Sequence, residues 1–179
     1  MPGFGEPTPR LMIVGLAPGM HGANRTGRPF TGDHAGIILY ETLHRFGFAS
    51  QPTSEAIGDG LRLHRCRITN AVKCWPPRNK PLPDEIRRCN AYLSQELNAL
   101  SRGAAILALG VIAHQAVLDA LGLPRAAHRF RHGAQYPLPV GYALFDSYHC
   151  SRYNTQTGRL TADMFHQVFA AITTYLRAA

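Results

Sequence analysis

The sequence predicts an α/β fold, doubly wound around a mostly parallel four-stranded central sheet with helices on both faces. Three observations carry that expectation. Short apolar runs recur along the chain, bounded by glycine, proline or polar residues. Between them, longer segments place apolar residues at three- and four-residue steps. Long loops follow three of the runs, where sheets of this kind bind ligands beyond the carboxyl ends of their strands.

The elements follow in chain order. Leu11–Val14 is a buried strand that ends at Gly15. Ala35–Phe46 is a helix with Ile38, Thr42, Leu43 and Phe46 on one side, stopped by Gly47. Arg67–Lys73 is the second strand. Asp84–Leu100 sets Ile86, Cys89, Leu93, Leu97 and Leu100 on one helical face. Ala104–Leu109 is the third strand, and Val111–Leu121 a helix between Gly110 and Gly122. Tyr142–Asp146 is the fourth strand. Thr161–Leu176 closes the chain as a helix with Thr161 as N-cap and Phe165, Val168, Phe169 and Ile172 buried. Residues 1–179 read as a single domain, and 179 residues suffice to bury a sizeable core.

No apolar run approaches the roughly 20 residues that span a bilayer. The start, Met1-Pro2-Gly3-Phe4-Gly5, lacks the basic and apolar regions of a secretion signal. A cytoplasmic protein with no membrane partner is expected. The net charge is +8, and its excess is local: between Ala120 and Ala162 Asp146 is the only acid, against Arg125, Arg129, Arg131, Arg152 and Arg159. His128, His132 and His149 fall in the same stretch. Such a stretch suits a polyphosphate backbone, the alternative being a solvated loop face. The four cysteines, Cys66, Cys74, Cys89 and Cys150, form no Cys-x-x-Cys pair, so the common zinc patterns are absent.

The loop GLAPGMHGANRTGRPFTGD, residues 15–33, holds no lysine and is not a P-loop. Its Gly15, Gly19, Gly22 and Gly27 do not fit the dinucleotide spacing either. With Phe30 after Pro29, and backbone left open by glycine, it suits a flat heterocycle; alternatively Phe30 plugs the core beneath the loop.

Together with TNAVKCWPPRNKP at 69–81 and SYHCSRYNTQTGRLT at 147–161, this loop resembles the signature of the uracil-DNA glycosylase superfamily. The most similar branch is the bacterial and archaeal family 5, or type b, and the likeness runs from Pro2 to the last helix. It implies a doubly wound fold that removes uracil, and some other deaminated bases such as hypoxanthine, from DNA. It implies that the glycine-rich loop, with Gly15 and Gly19, brings backbone close to an extruded base. Phe30 matches the stacking aromatic, and Asn70 the amide that pairs with the edge of the base. His149 matches the histidine that donates to the base carbonyl as charge collects there. Cys150 stands where the superfamily commonly has proline after that histidine, and is expected to be inert packing.

Ala17 stands where several superfamily members carry a water-activating acid, which leaves Asp33 as the nearest carboxylate and Asn24 as the nearest amide. Arg152 or Tyr153 matches the segment that fills the gap left in the duplex, with Asn154, Thr157 and Arg159 suited to phosphates. Of the lysines in the three motif loops, Lys73 and Lys80 both lie in the second, so a monofunctional hydrolase is expected rather than a lyase. The family also implies a [4Fe–4S] cluster on four cysteines. Cys74 and Cys89 match two of them; a preceding Cys-x-x-Cys is missing, so an N-terminal cluster-binding segment is expected to be lacking. The partner implied is DNA containing uracil or another deaminated base, met by a monomer. The rival readings are a catalytically impaired DNA-binding member of the same fold, and an enzyme acting on free nucleosides.

Overall fold

A computed structural model describes residues 1–77 and 80–179; Arg78 and Asn79 of the second motif lie outside the described residues. Six strands, β1 (Phe4–Gly5), β2 (Leu11–Gly15), β3 (Cys66–Asn70), β4 (Ala105–Leu109), β5 (Gln135–Pro137) and β6 (Ala143–Ser147), form one sheet in the order β1-β3-β2-β4-β6-β5. The four central strands are parallel, as expected. Two antiparallel edge strands, β1 on β3 and β5 on β6, are additional to the predicted four. Neither carries an apolar run: β1 has two residues, and β5 reads Gln-Tyr-Pro.

The helices are α1 (Ala23–Thr26), α2 (His34–Arg45), α3 (Pro83–Asn98), α4 (Val111–Ala120), α5 (Arg152–Gln156) and α6 (Ala162–Ala178), with a 3₁₀ turn at Arg125–Ala127. Successive strand residues face opposite ways, so each strand feeds two cores. Leu11, Ile13, Ile68, Leu107 and Phe145 pack with Leu39 and Leu43 of α2 and with Phe165 and Phe169 of α6. Met12, Val14, Ile106 and Leu144 pack on the other face with Leu93 and Leu97 of α3 and Val117 of α4. Both faces are buried, which is why the central strands read as continuous apolar runs. Thr161 caps α6, its hydroxyl accepting from the Met164 N–H at 3.2 Å. No helix among the described residues is long and apolar enough to cross a membrane.

The chain leaves β2 for α2 on one face, and after β3 it crosses to β4 on the far side of β2 through α3 on the other face. That reversal opens a crevice at the carboxyl ends of the central strands, where α/β sheets hold their ligands. The second predicted strand ends at Asn70 rather than Lys73, and Asn70 thereby stands at the rim of this crevice.

Candidate active site

Three loops meet at that crevice. They line a cavity of about 400 Å³ with Ala17, Gly19, Phe30 and Asp33 from the first loop, Asn70 from the end of β3 where the second begins, and His149 and Arg152 from the third. The structure therefore brings Phe30, Asn70 and His149 together around one space. The Phe30 and His149 rings stack with centroids 6.0 Å apart and planes 28° apart.

Phe30 is held by its surroundings in a conformation that an L-residue avoids, with φ at +57°. The Tyr40 hydroxyl of α2 donates to the Pro29 carbonyl at 2.7 Å. The Phe30 carbonyl comes so close to Gly36 that a Cβ there would lie 1.9 Å from its oxygen. Behind the turn, buried Arg28 pairs with Asp59 at 2.9 Å and lies over the Phe4 ring. Thr31 hydrogen-bonds Ser54, which also accepts from Arg28. These contacts over-determine the turn, as strain at a functional position requires.

Glycines of the loop also admit this chain's own side chains, while Gly19 lines the cavity. A Cβ on Gly15 would stand 2.5 Å from Asn70 Oδ1 and 2.7 Å from Phe30 Cζ. On Gly22 it would stand 2.0 Å from the Asp33 carboxyl, and on Gly19 2.8 Å. Asp33 precedes α2 yet makes no side-chain cap on it; its Oδ2 instead accepts from the Ala23 N–H at 3.1 Å. It thus staples the loop while still lining the cavity.

Asn70 is buried, and its Oδ1 has no hydrogen-bond partner among the described residues. Such a group costs about 1–3 kcal/mol unless something pairs with it. His149 is half-buried, and desolvation pushes its imidazolium down to about 4, so the ring is neutral at neutral pH. Cys150 beside it is fully buried, its thiol pushed up to about 12 by desolvation, which matches inert packing.

The third loop is more ordered than its polar sequence suggests. Ser151 caps α5 by accepting from the Asn154 N–H, and the Asn154 amide donates to the His149 carbonyl at 2.8 Å. One Asn154 amide N–H thereby holds the His149 backbone. Arg152 lines the cavity; Tyr153 projects beside it, 70% exposed, and Thr157 and Arg159 are also exposed. The Arg159 guanidinium lies 4.7 Å from the centre of the Tyr148 ring. Asn24 is exposed on α1 and does not line the cavity. Sequence reasoning missed His34, whose Nε2 reaches Thr155 Oγ1 at 3.1 Å and clasps the first loop to the third.

Cys74 and Cys89 share a separate cavity with Met1, Pro2 and Lys73. Cys89 Sγ accepts from the Lys73 N–H at 3.4 Å, and Cys74 is exposed. A cubane cluster takes four thiolates. Cys66 is buried in β3 and Cys150 beside the first cavity, and no group of three metal-ligating side chains occurs among the described residues. The residues present do not make a four-thiolate site. Lys73 is engaged by Glu96 and Thr69, and neither it nor Lys80 lines the cavity that holds His149.

The pattern of the Uracil DNA glycosylase superfamily matches residues 2–173. The chain is 54% identical over 168 residues to the Type-5 uracil-DNA glycosylase of Thermus thermophilus, covering 94% of this chain and 76% of that protein. It is 47% identical over 173 residues to the Type-5 uracil-DNA glycosylase of Mycobacterium tuberculosis, 94% of this chain but 64% of that longer protein. Against the Type-5 enzyme of Pyrobaculum aerophilum, identity is 42% over 168 residues, with 94% and 73% covered. With the match running through all three loops that build the cavity, the chain belongs to the uracil-DNA glycosylase superfamily.

Proposed function

We propose that this chain is a monofunctional DNA glycosylase that hydrolyses the N-glycosidic bond of uracil in DNA, in base-excision repair. The observation that carries this reading is the convergence of Phe30, unpaired Asn70 and neutral His149 on one base-sized cavity. The glycosidic carbon is inaccessible within a duplex, so the nucleotide swings out into that cavity. Phe30 stacks on the base, and the Asn70 amide pairs with its edge.

The C1′–N1 bond then breaks and its electron pair passes to the uracil, where negative charge gathers at the O2 carbonyl. His149, being neutral, donates a hydrogen bond there without giving up its proton; one placed donor of this kind is worth about 10²–10³ in rate. The sugar is left as an oxocarbenium ion. Asp33 supplies the carboxylate whose charge favours that cation, and water adds to C1′ and releases a proton. Every step is carried by this chain's own residues and water.

Arg152 and Tyr153 fill the gap left in the duplex, and Thr157 and Arg159 face its phosphates. Asn24, standing off the cavity, would meet the backbone rather than the base. Ala17 leaves room beside the base for a purine such as hypoxanthine. All three loops come from one chain, which supports action as a monomer, on DNA in the cytoplasm. Any [4Fe–4S] cluster would take Cys74 and Cys89 and need two further ligands.

The test is release of free base from a duplex oligonucleotide carrying one uracil. The expected product is an abasic site, with strand breaks only after alkali. Duplex binding without base release would mark a DNA-binding member of the fold instead. Breaks before alkali would mark a lyase.

A further inference from the structure

The cavity accounts for one nucleotide, yet the basic stretch of the sequence reaches well beyond it, into the segment between α4 and β5. Asp146, the only acid between Ala120 and Ala162, is fully buried, so it offers no charge at the surface. His114 of α4, equally buried, places Nδ1 2.7 Å from Asp146 Oδ1 and Nε2 2.7 Å from the His128 carbonyl oxygen. Burial holds the Asp146 carboxyl above its ordinary value, and the His114 ring donates its Nε2–H to the His128 oxygen and shares a proton at Nδ1 with that carboxyl. Burial alone would push His114 down, but the hydrogen bond and charge of Asp146 and the His128 carbonyl outweigh it and hold the ring above its ordinary value.

This buried pair fixes the path of residues 128–133. The Arg131 N–H faces Asp146 Oδ2 at 3.4 Å, and the Gly133 N–H donates to the Asp146 carbonyl at 2.9 Å. The segment then turns onto the strand that carries the active site. Its His132 ring stacks on Tyr148, centroids 4.9 Å apart and planes 17° apart, and His132 Nδ1 accepts from the Tyr148 N–H. Tyr148 directly precedes His149. Arg125 is neutralised by Asp119 on α4, whereas Arg129 and Arg131 are exposed and have no carboxylate partner among the described residues.

We propose that residues 128–132 form a rigid arm, locked from beneath by the His114–Asp146 pair, that grips the phosphate backbone flanking the extruded nucleotide through Arg129 and Arg131. The occupant is duplex DNA outside the cavity, recognised by charge and not by sequence. His114 acts through the arm and is a positioning residue. The inference rests on the reading of the cavity as a DNA site, but it is tested by binding and not by turnover.

The experiment measures anisotropy of a duplex bearing 2′-fluoro-2′-deoxyuridine, which resists cleavage, over a series of salt concentrations. In Arg129→Ala/Arg131→Ala, the affinity at fixed salt should fall about ten-fold and the salt slope by about 2. The loss should lie in Kd and in kcat/KM, and not in the single-turnover rate of bound DNA. Arg129→Lys/Arg131→Lys should keep the wild-type slope. His114→Gln should lose slope in the same direction, through a loosened arm seen as faster amide exchange at residues 128–133. An unchanged slope and Kd in the double alanine variant would overturn the proposal. A folded His114→Gln protein with wild-type slope would overturn the lock. Should the wild type release no uracil, the activity reading fails, while the salt slopes still decide the arm.

Discussion

Phe30 and His149 lie far apart in the chain, yet their rings stack with centroids 6.0 Å apart beside one cavity that Asn70 also lines. Phe30 reaches that position only through a backbone conformation held by its neighbours. The geometry of the site is therefore set in part by buried residues such as Tyr40 that do not line the cavity.

Tyr40 is the first of these. Its hydroxyl is held by the Pro29 carbonyl, and desolvation pushes its pKa up to about 12. Tyr40→Phe leaves the Pro29 carbonyl only the longer contact from the Thr31 hydroxyl at 3.4 Å and should cost about 1 kcal/mol. Urea unfolding should show that loss, and kcat/KM for uracil release should fall, because the Phe30 turn loosens. Gly36→Ala should be more severe, since its Cβ would collide with the Phe30 carbonyl.

Gly15→Ala separates cavity shape from stability. The new Cβ would displace Asn70 Oδ1 and the Phe30 ring together. Base pairing and stacking should both suffer, so kcat/KM should fall by at least about 10²-fold, in line with misplacing a positioned group. Duplex affinity at low salt, which rests on phosphate contacts, should change little. Wild-type kcat/KM in this variant would show that Asn70 and Phe30 do not share a ligand.

Much of this was legible in the sequence, and what was hidden has physical causes. The four central strands announce themselves because both faces of each are buried, leaving unbroken runs such as Leu11–Val14. The edge strands have no such pressure, and α5 is concealed in a polar segment with only Ser151 to signal its start. Phe30, Asn70 and His149 could be picked because each lies in one of three motifs, Asn70 and His149 at or just past a strand end and Phe30 in the loop that leads from β2 to α2. The close contacts of Gly15, Gly19 and Gly22 with Asn70, Phe30 and Asp33 were hidden, because close approach to a side chain leaves the same trace in sequence as close approach to a ligand. The clasp between His34 and Thr155 joins residues far apart in the chain, and no local pattern encodes it.

His149 predicts a pH signature. Desolvation holds its folded-state pKa at about 4, below the ordinary value of about 6.5. Between those values the unfolded chain binds a proton that the folded one does not. This group therefore lowers stability progressively as pH falls from about 6.5 towards 4. Above that window the ring stays neutral, so titration of His149 should not shape the rate between pH 6 and 9. An NMR titration of the His149 ring with a midpoint near 6.5 would contradict this assignment.

Asp59 behaves in the opposite sense. Burial opposes its ionisation, but the N–H groups of Glu55, Leu61 and Ala56 and the Arg28 guanidinium outweigh that and hold its carboxyl at about 2. Its contribution is complete above about pH 4 and is lost as pH falls through about 2. Asp59→Asn leaves the Arg28 charge buried without its partner and should cost about 3 kcal/mol. Thermal unfolding at neutral pH should show that loss, and the gap from wild type should narrow in acid.

The proposed action of His149 on a base held by Phe30 and Asn70 is tested most directly by single-turnover excision with enzyme in excess. His149→Ala should bind a uracil-containing duplex as the wild type does, while its excision rate falls by about 10²–10³. Wild-type excision by His149→Ala would contradict it, whatever the affinity.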